Sequence, residues 1–444
     1  MNLCPIVPYG DPSLGKWLNR RPMYDPDLAK TVADIIVDVE KRGAQAVLEQ
    51  TQRFSSPEVS NLIVRPAEQK FDDVLSSEHQ DAIITAIERV TDFHQIEIET
   101  LTEGWTKLAH GWGWRTYSHE RDNEESGMIG QRLLPVRSAG IYVPGGNAEY
   151  PSSVVMNVVP AIVAGVRRIV VATPPRSDGT VSPAVLFACD KLDVEAVLLA
   201  GGASAVAAMA LGIDGVQRVD VVAGPGNRYV NEAKRQLWGA VGLDFYAGPS
   251  EVCVVADDSA HPKLAAADLL CQVEHAPDNV AVLVALSHAV AEAVLHSAND
   301  LLAFADRRDV MRSALSDNGV AIVCADEKEA CRAVDGFAPE HLALHVGNPL
   351  HYLDNIHNFG AAMMGPWTPQ SVADYCEGPS HTLPTSGAAR FTGALSVSTF
   401  LRSQSVSMLE EEDAKDLVST AKAFAEMEGL AMHGQDATLR NEEP

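Results

Sequence analysis

The pattern of apolar and polar positions changes along this chain, from helical spacing to short apolar runs, and the change marks its organisation. In "DPDLAKTVADIIVDVEKRG", Leu28, Val32, Ile35, Ile36 and Val39 recur every three or four residues, the spacing of one helix face. Asp25 is placed to cap that helix, Pro26 to begin it and Gly43 to stop it. Helical spacing continues through "EHQDAIITAIERVTDFHQIEIETL". The next stretch, "TKLAHGWGWRTYSHERDNEESGMIGQRLLPV", is rich in Gly, Trp and charge and predicts an excursion of strands and loops. Between Gly140 and Gly248, short β-branched runs alternate with small-residue helices. "GIYV", "RIVVAT", "VEAVLLA" and "RVDVVAG" each lead through a turn into a helical stretch. Such strand–loop–helix units in succession predict a parallel sheet covered on both faces. After Ser250 the alternation resumes with "EVCVVAD", a helix, "NVAVLVAL", a long helix and "GVAIVCAD".

The expected class is therefore α/β, with two lobes, one inserted into the other. Residues 1–30 are read as an N-terminal extension, 31–141 and 250–395 as the first lobe, and 142–249 as the inserted lobe. From about Phe400 the chain reads as largely helical, so 396–444 form a C-terminal appendage. A length of 444 residues agrees, because single cores stop growing at roughly 250–300 residues. No repeat, low-complexity tract or long linker interrupts the pattern.

Charge narrows the partners. A net charge of −26, with no lysine or arginine run, argues against nucleic acid, since a polyanion requires a basic patch. The acidic "LEEEDAK" suits a solvated helix start whose carboxylates complement the macrodipole. Seven cysteines, an odd number without a C-x-x-C pair, read as reduced thiols of a cytoplasmic protein. The first residues lack the basic start and apolar stretch of a signal peptide, and no apolar run reaches the ~18–20 residues that span a bilayer.

Candidate chemistry sits in six stretches. "YVPGGNAEYPSS" and "AGPGNRYVNEA" are glycine-bearing turns between a strand and a helix, where a parallel sheet binds ligands through helix N-termini. Neither is a full G-x-G-x-x-G, and glycines that only allow a tight turn explain them equally well. In "LLCQVEHAPD", Gln272 and His275 lie three apart and share a helix face, so they can meet at a water, a metal or a substrate. "FAPEHLALHV" sets Glu340 beside His341, a proton acceptor near neutrality with a carboxylate next to it. On a strand the two would face opposite ways; a turn at Pro339 would let both serve one site. "VADYCEGPSHTLPTSG" holds Asp374 and His381, and "EMEGLAMHG" holds Glu428 and His433 around Gly429, where a helix break would bring the last two together. Solvated surface is the plain alternative for each.

These stretches, with "AGPSEVCVVAD", occur in the order and approximate spacing of histidinol dehydrogenases, and the resemblance runs from about Thr31 to Arg440. It implies an NAD-linked zinc enzyme that oxidises L-histidinol through the aldehyde to L-histidine, reducing two NAD. It implies a homodimer with shared active sites, and parallel-sheet lobes of incomplete Rossmann type, like those of aldehyde dehydrogenases. By the same resemblance Gln272, His275, Asp374 and His433 would hold one zinc per subunit, with His433 donated by the partner. Glu340 and His341 would be the acid–base pair. Tyr142, Ser204 and Asn227 would contact NAD; Ser250 and Glu428 would contact substrate together with the zinc ligands and His341, and His381 would be an accessory polar residue of the pocket. One departure stands out: where the family usually reads Gly-Gly-Ala-Gln-Ala, this chain has "GGASA". Ser204 would weaken cofactor binding by up to about 1 kcal/mol if one exposed hydrogen bond is lost. Two competing readings are a relative oxidising another small polar alcohol and a zinc hydrolase in which Glu340 activates water.

Overall fold

The computed structural model describes residues 3–21, 24–71, 74–108, 111–113, 117–121, 124–145, 149–245 and 247–441. They form two compact units, one made of 1–98 with 136–400, the other of 99–135 with 401–444.

The first unit contains two parallel sheets. One sheet has the strand order Ile6–Pro8, Val320–Val323, Val280–Ala285, Glu251–Ala256, His341–His345 and Ala361–Met364, all parallel. Its central strand is apolar at nearly every position because both faces are covered. Val252, Val254 and Ala256 face one core with Leu269 and Leu283; Cys253 and Val255 face the other with Phe337 and Tyr352. The second sheet runs Gly242–Leu243, Val221–Ala223, Ser138–Tyr142, Arg168–Thr173 and Ala196–Leu199 in parallel. Ile63–Val64 closes its edge antiparallel. The four expected strand–helix units are those of this sheet.

The first helix spans Pro26–Arg42, with the Asp25 carboxylate accepting from the amides of Asp27 and Leu28 and Gly43 ending it at φ +55°. It packs on the helices Gly202–Leu211 and Arg228–Leu237 of the second sheet. Residues 31–64 thus belong with the inserted lobe, not with the first lobe where the sequence placed them. Their apolar face meets the alanine-rich helix Gly202–Leu211, which leaves room for close packing. Residues 1–30 are no mere extension either, since Ile6–Pro8 pairs with Val320–Val323. The long helix expected after Ala285 is two, His288–Leu302 and Arg308–Asn318, and the break lets Arg307 donate to the His275 carbonyl at 3.3 Å.

In the second unit, the expected strand excursion forms an antiparallel sheet around the long strand Glu124–Pro135. Leu401–Met408 pairs with that strand over its whole length, so the C-terminal appendage starts as a strand and not as helix. Its "LRSQSVSM" lacks helical apolar spacing, and a neighbouring strand supplies the backbone partners it needs. The helices Glu411–Glu428 and Ala431–Leu439 then pack together. Among the described residues no helix is long and apolar enough to cross a membrane.

Candidate active site

The carboxyl ends of the second sheet open into a cavity of about 820 Å³. Tyr142, Ser204 and Asn227 all line it, with the N-termini of the two helices that start at Gly202 and Arg228. That size falls within the range of small-molecule and cofactor sites. Asn227 caps its helix, accepting from the Tyr229 and Val230 amides at 3.0 and 3.2 Å. The Tyr142 hydroxyl is buried and accepts from the Gly202 amide at 3.1 Å, and burial pushes its pKa up. Ser204 donates to the Gly201 carbonyl at 3.0 Å and so closes its own turn. Gly224 has φ +114°, and a Cβ there would lie 2.1 Å from the Tyr142 carbonyl oxygen, so only glycine fits between these two strands. Residues 146–148 of the first glycine turn lie outside the described residues.

A second polar group gathers at the amino end of the first sheet. Gln272 is on the last turn of the helix Pro262–Val273, Asp374 on the short helix Gln370–Tyr375, and His341 opens its strand. Gln272 Nε2 donates to Asp374 Oδ2 at 3.0 Å, and His341 Nε2 lies 3.2 Å from Asp374 Oδ1. Glu340 stands just outside the strand, after Ala338 at φ +50°, so the expected turn exists. Glu340 Oε2 is consequently 3.6 Å from His341 Nδ1 and accepts from the Glu251 amide at 2.7 Å. The Glu251 carbonyl lies 3.2 Å from His341 Nδ1, so one residue of the central strand orients both members of the pair.

Charge is concentrated here. Burial alone would lower the pKa of His341, but Glu340 and Asp374 face it and push it up to about 10. Burial likewise works against the Asp374 carboxylate, yet the imidazoles of His341, His381 and His275 hold its carboxyl below the ordinary range. The structure therefore contains a buried anion ringed by nitrogen donors. His381 joins this group to the cavity side: Nδ1 is 2.7 Å from the Asp374 carbonyl and Nε2 is 3.4 Å from Ser153 Oγ, on the helix after the first glycine turn. His275 follows the helix end with its amide 3.4 Å from the Gln272 carbonyl. Ser250 immediately precedes the central strand, and its carbonyl accepts from Val280.

Glu428 and His433 lie in the second unit, both exposed, on either side of a break at Gly429 where φ is +71°. Among the described residues, no three His, Cys, Asp or Glu side chains of the chain close on one point as a metal cluster. The expected set has only His275 and Asp374 of those types in the first unit, since Gln272 is an amide. Its donor chemistry still suits a cation: Asp374 is an anion, His275 offers a nitrogen, and the bond from Gln272 Nε2 to Asp374 leaves the amide oxygen available.

Sequence reasoning missed several residues around this group. Glu251 is 1% exposed and paired with Arg20 at 2.8 Å. Asp268 and His345 are buried and 2.7 Å apart, one helical turn from Gln272 and four strand residues from His341. The readable signal was a charged or polar residue inside an otherwise apolar run, as in "SEVCVVAD".

A sequence model of the histidinol dehydrogenase family matches residues 18–441. A histidinol dehydrogenase of Parasynechococcus marenigrum is 40% identical over 416 residues, covering 93% of this chain and 91% of the relative. One from Bacillus subtilis is 39% identical over 414 residues, covering 93% and 92%. The crystal structure of histidinol dehydrogenase from Elizabethkingia anophelis superposes with a TM-score of 0.87 at 28% identity, covering 99% of this chain and 98% of that one.

Proposed function

Because this chain belongs to the histidinol dehydrogenase family, NAD-dependent oxidoreductases of the last steps of histidine biosynthesis, we propose that its two polar centres carry out one four-electron oxidation. L-histidinol loses a hydride and a proton to give the aldehyde; the aldehyde adds water and loses a second hydride and proton to give L-histidine. The observation that carries this reading is the buried contact of His341 with both Glu340 and Asp374.

His341 accepts the hydroxyl proton as hydride leaves the alcohol carbon. Glu340 and Asp374 face its ring and raise its pKa; a cation held by Asp374 would offset that charge and leave the imidazole neutral and able to accept the proton. Glu340, anchored by the Glu251 amide, accepts a proton from the water that adds to the aldehyde. Gln272, His275 and Asp374, with His433 of a second subunit, would hold a zinc ion, which supplies a Lewis-acid grip on the amino alcohol, while NAD supplies the hydride acceptor. Ser250 and Glu428 orient the substrate, and Tyr142, Ser204 and Asn227 line the cavity that takes NAD. His381 ties the two centres through Asp374 and Ser153.

A homodimer with shared sites is part of this reading. Phe424, Met427, Leu430 and Met432 are exposed apolar side chains on the same helical pair as Glu428 and His433, a surface suited to a self-complementary contact. All seven cysteines are free, which fits a reducing compartment, and we place the enzyme in the cytoplasm.

The test is NADH formation from a panel of amino alcohols, with and without a chelator. Histidinol-dependent NADH that disappears on chelation is expected. NADH from a different alcohol but not histidinol would move the substrate, and no NADH from any would end the dehydrogenase reading.

A further inference from the structure

The helix Arg228–Leu237 carries more polar contact than a surface helix needs. Asn227 at its head, Asn231 one turn on and Lys234 a further turn on lie on one face. Asn231 is 2% exposed and its carboxamide is used at both ends. Its nitrogen donates to the Gly226 carbonyl at 2.9 Å and to the Ala247 carbonyl at 2.6 Å, with the Asn227 carbonyl at 3.3 Å. Its oxygen accepts from the Ala247 amide at 3.2 Å. Lys234, equally buried, donates to the Gly224 carbonyl and to Asp244 Oδ1, both at 2.6 Å, while the other Asp244 oxygen accepts from the Gly224 amide at 2.8 Å.

Two segments are thereby fastened to each other. One is the loop 224–227, which ends in the cavity-lining Asn227. The other is the crossover connection bearing Asp244, Ala247 and Gly248, which leads from the second sheet to Ser250 at the head of the central strand of the first. The Gly248 amide donates to Thr385 Oγ1 at 2.5 Å, so the crossover is gripped from both lobes. A buried ammonium and a buried carboxamide cost stability unless every bond is made. Plain apolar packing would have held this helix down at no such cost.

We propose that Asn231 and Lys234 are positioning residues that hold the cofactor loop in register with the substrate-bearing crossover, and so set the distance between bound NAD and the alcohol carbon. The inference rests on the dehydrogenase reading above and adds the device that aligns its two halves. Hydride transfer is steep in distance, and a misplacement near 1 Å costs on the order of 100-fold.

The experiment uses the full-length enzyme with its metal and the single substitutions Asn231→Leu and Lys234→Met. Single-turnover NADH formation is followed by stopped flow with histidinol and with histidinol deuterated at the reacting carbon, which identifies the hydride-transfer phase. NAD affinity is measured separately by fluorescence. The variants are expected to lose hydride-transfer rate by at least about tenfold, with NAD Kd changed less than about threefold. Leu315→Ala, a core change in the first lobe, serves as a destabilised control whose rate stays near that of the unmodified enzyme. If either variant fails to fold, Asn231→Ser, whose shorter hydroxyl replaces the carboxamide, or Lys234→Arg, which keeps the charge on a different side chain, is expected to show the same rate loss in smaller measure. Variant rates within about twofold of the unmodified enzyme, alongside a lowered melting temperature, would overturn the positioning role. No NADH from the unmodified enzyme would instead sink the dehydrogenase reading.

Discussion

Replacing Glu251 by glutamine separates what this carboxyl does for stability from what its backbone does for the site. The side chain is 1% exposed, and burial pushes its pKa up to about 7, with Glu340 adding to the rise and Arg20 and the Ser386 amide opposing it. Its ordinary value is 4.5, so the folded chain binds this proton more tightly than the unfolded chain. Glu251 therefore contributes stability that is fully present below pH 4.5 and is lost as pH rises through 7. Over that window the loss reaches about 3 kcal/mol. Glutamine keeps the shape and carries no proton to lose. The melting temperature of Glu251→Gln relative to the unmodified protein should consequently rise with pH between about 5 and 8, by about 3 °C for a chain of this size. Paired calorimetric scans in matched buffers measure that difference and cancel every group the two proteins share. A difference that stays flat across the range, or that falls with pH, would refute the assignment of the proton to this side chain. Some activity should survive, because the bonds to Glu340 and His341 come from the Glu251 backbone.

Other outcomes are as definite. His341→Asn should lower the rate of alcohol oxidation by about 10²–10⁴-fold while metal content measured by elemental analysis stays intact; near-normal turnover would remove His341 as the base. Ser204→Gln should tighten NAD binding by up to about fivefold, since the Ser204 hydroxyl is already taken by the Gly201 carbonyl; unchanged or weaker affinity by titration counts against a cofactor contact at this position. His433→Ala should lose metal and activity together, and mixing it with His341→Asn chains should restore part of the activity. Mixed dimers that stay inactive after proven subunit exchange would show that each site is built from one chain.

Much of this fold is legible in the sequence. Short β-branched runs alternating with helical stretches located both parallel sheets, and Asp25, Pro26 and Gly43 fixed the first helix because capping is local chemistry. The adjacency of Glu340 and His341 after a proline also pointed to a turn, and the backbone at Ala338 makes it. Long-range choices were not readable. Nothing local tells that the helix Pro26–Arg42 packs on the second sheet, because its apolar stripe would suit either lobe. Lys234 and Asp244 look like ordinary charged positions on a helix and a turn, and only the fold closes over them. Leu401–Met408 does not read as a strand from the sequence, because its partner strand, Glu124–Pro135, lies far away along the chain.

The outermost strand of the first sheet, Ile6–Pro8, is three residues long and is bracketed by Pro5 and Pro8. Proline offers no amide, so this rim cannot template a further strand from another molecule. The neighbour it covers, "VAIV" at Val320–Val323, has no such guard. Removing the first nine residues should uncover that ribbon and raise the tendency to aggregate, which light scattering of the trimmed and full-length chains measures.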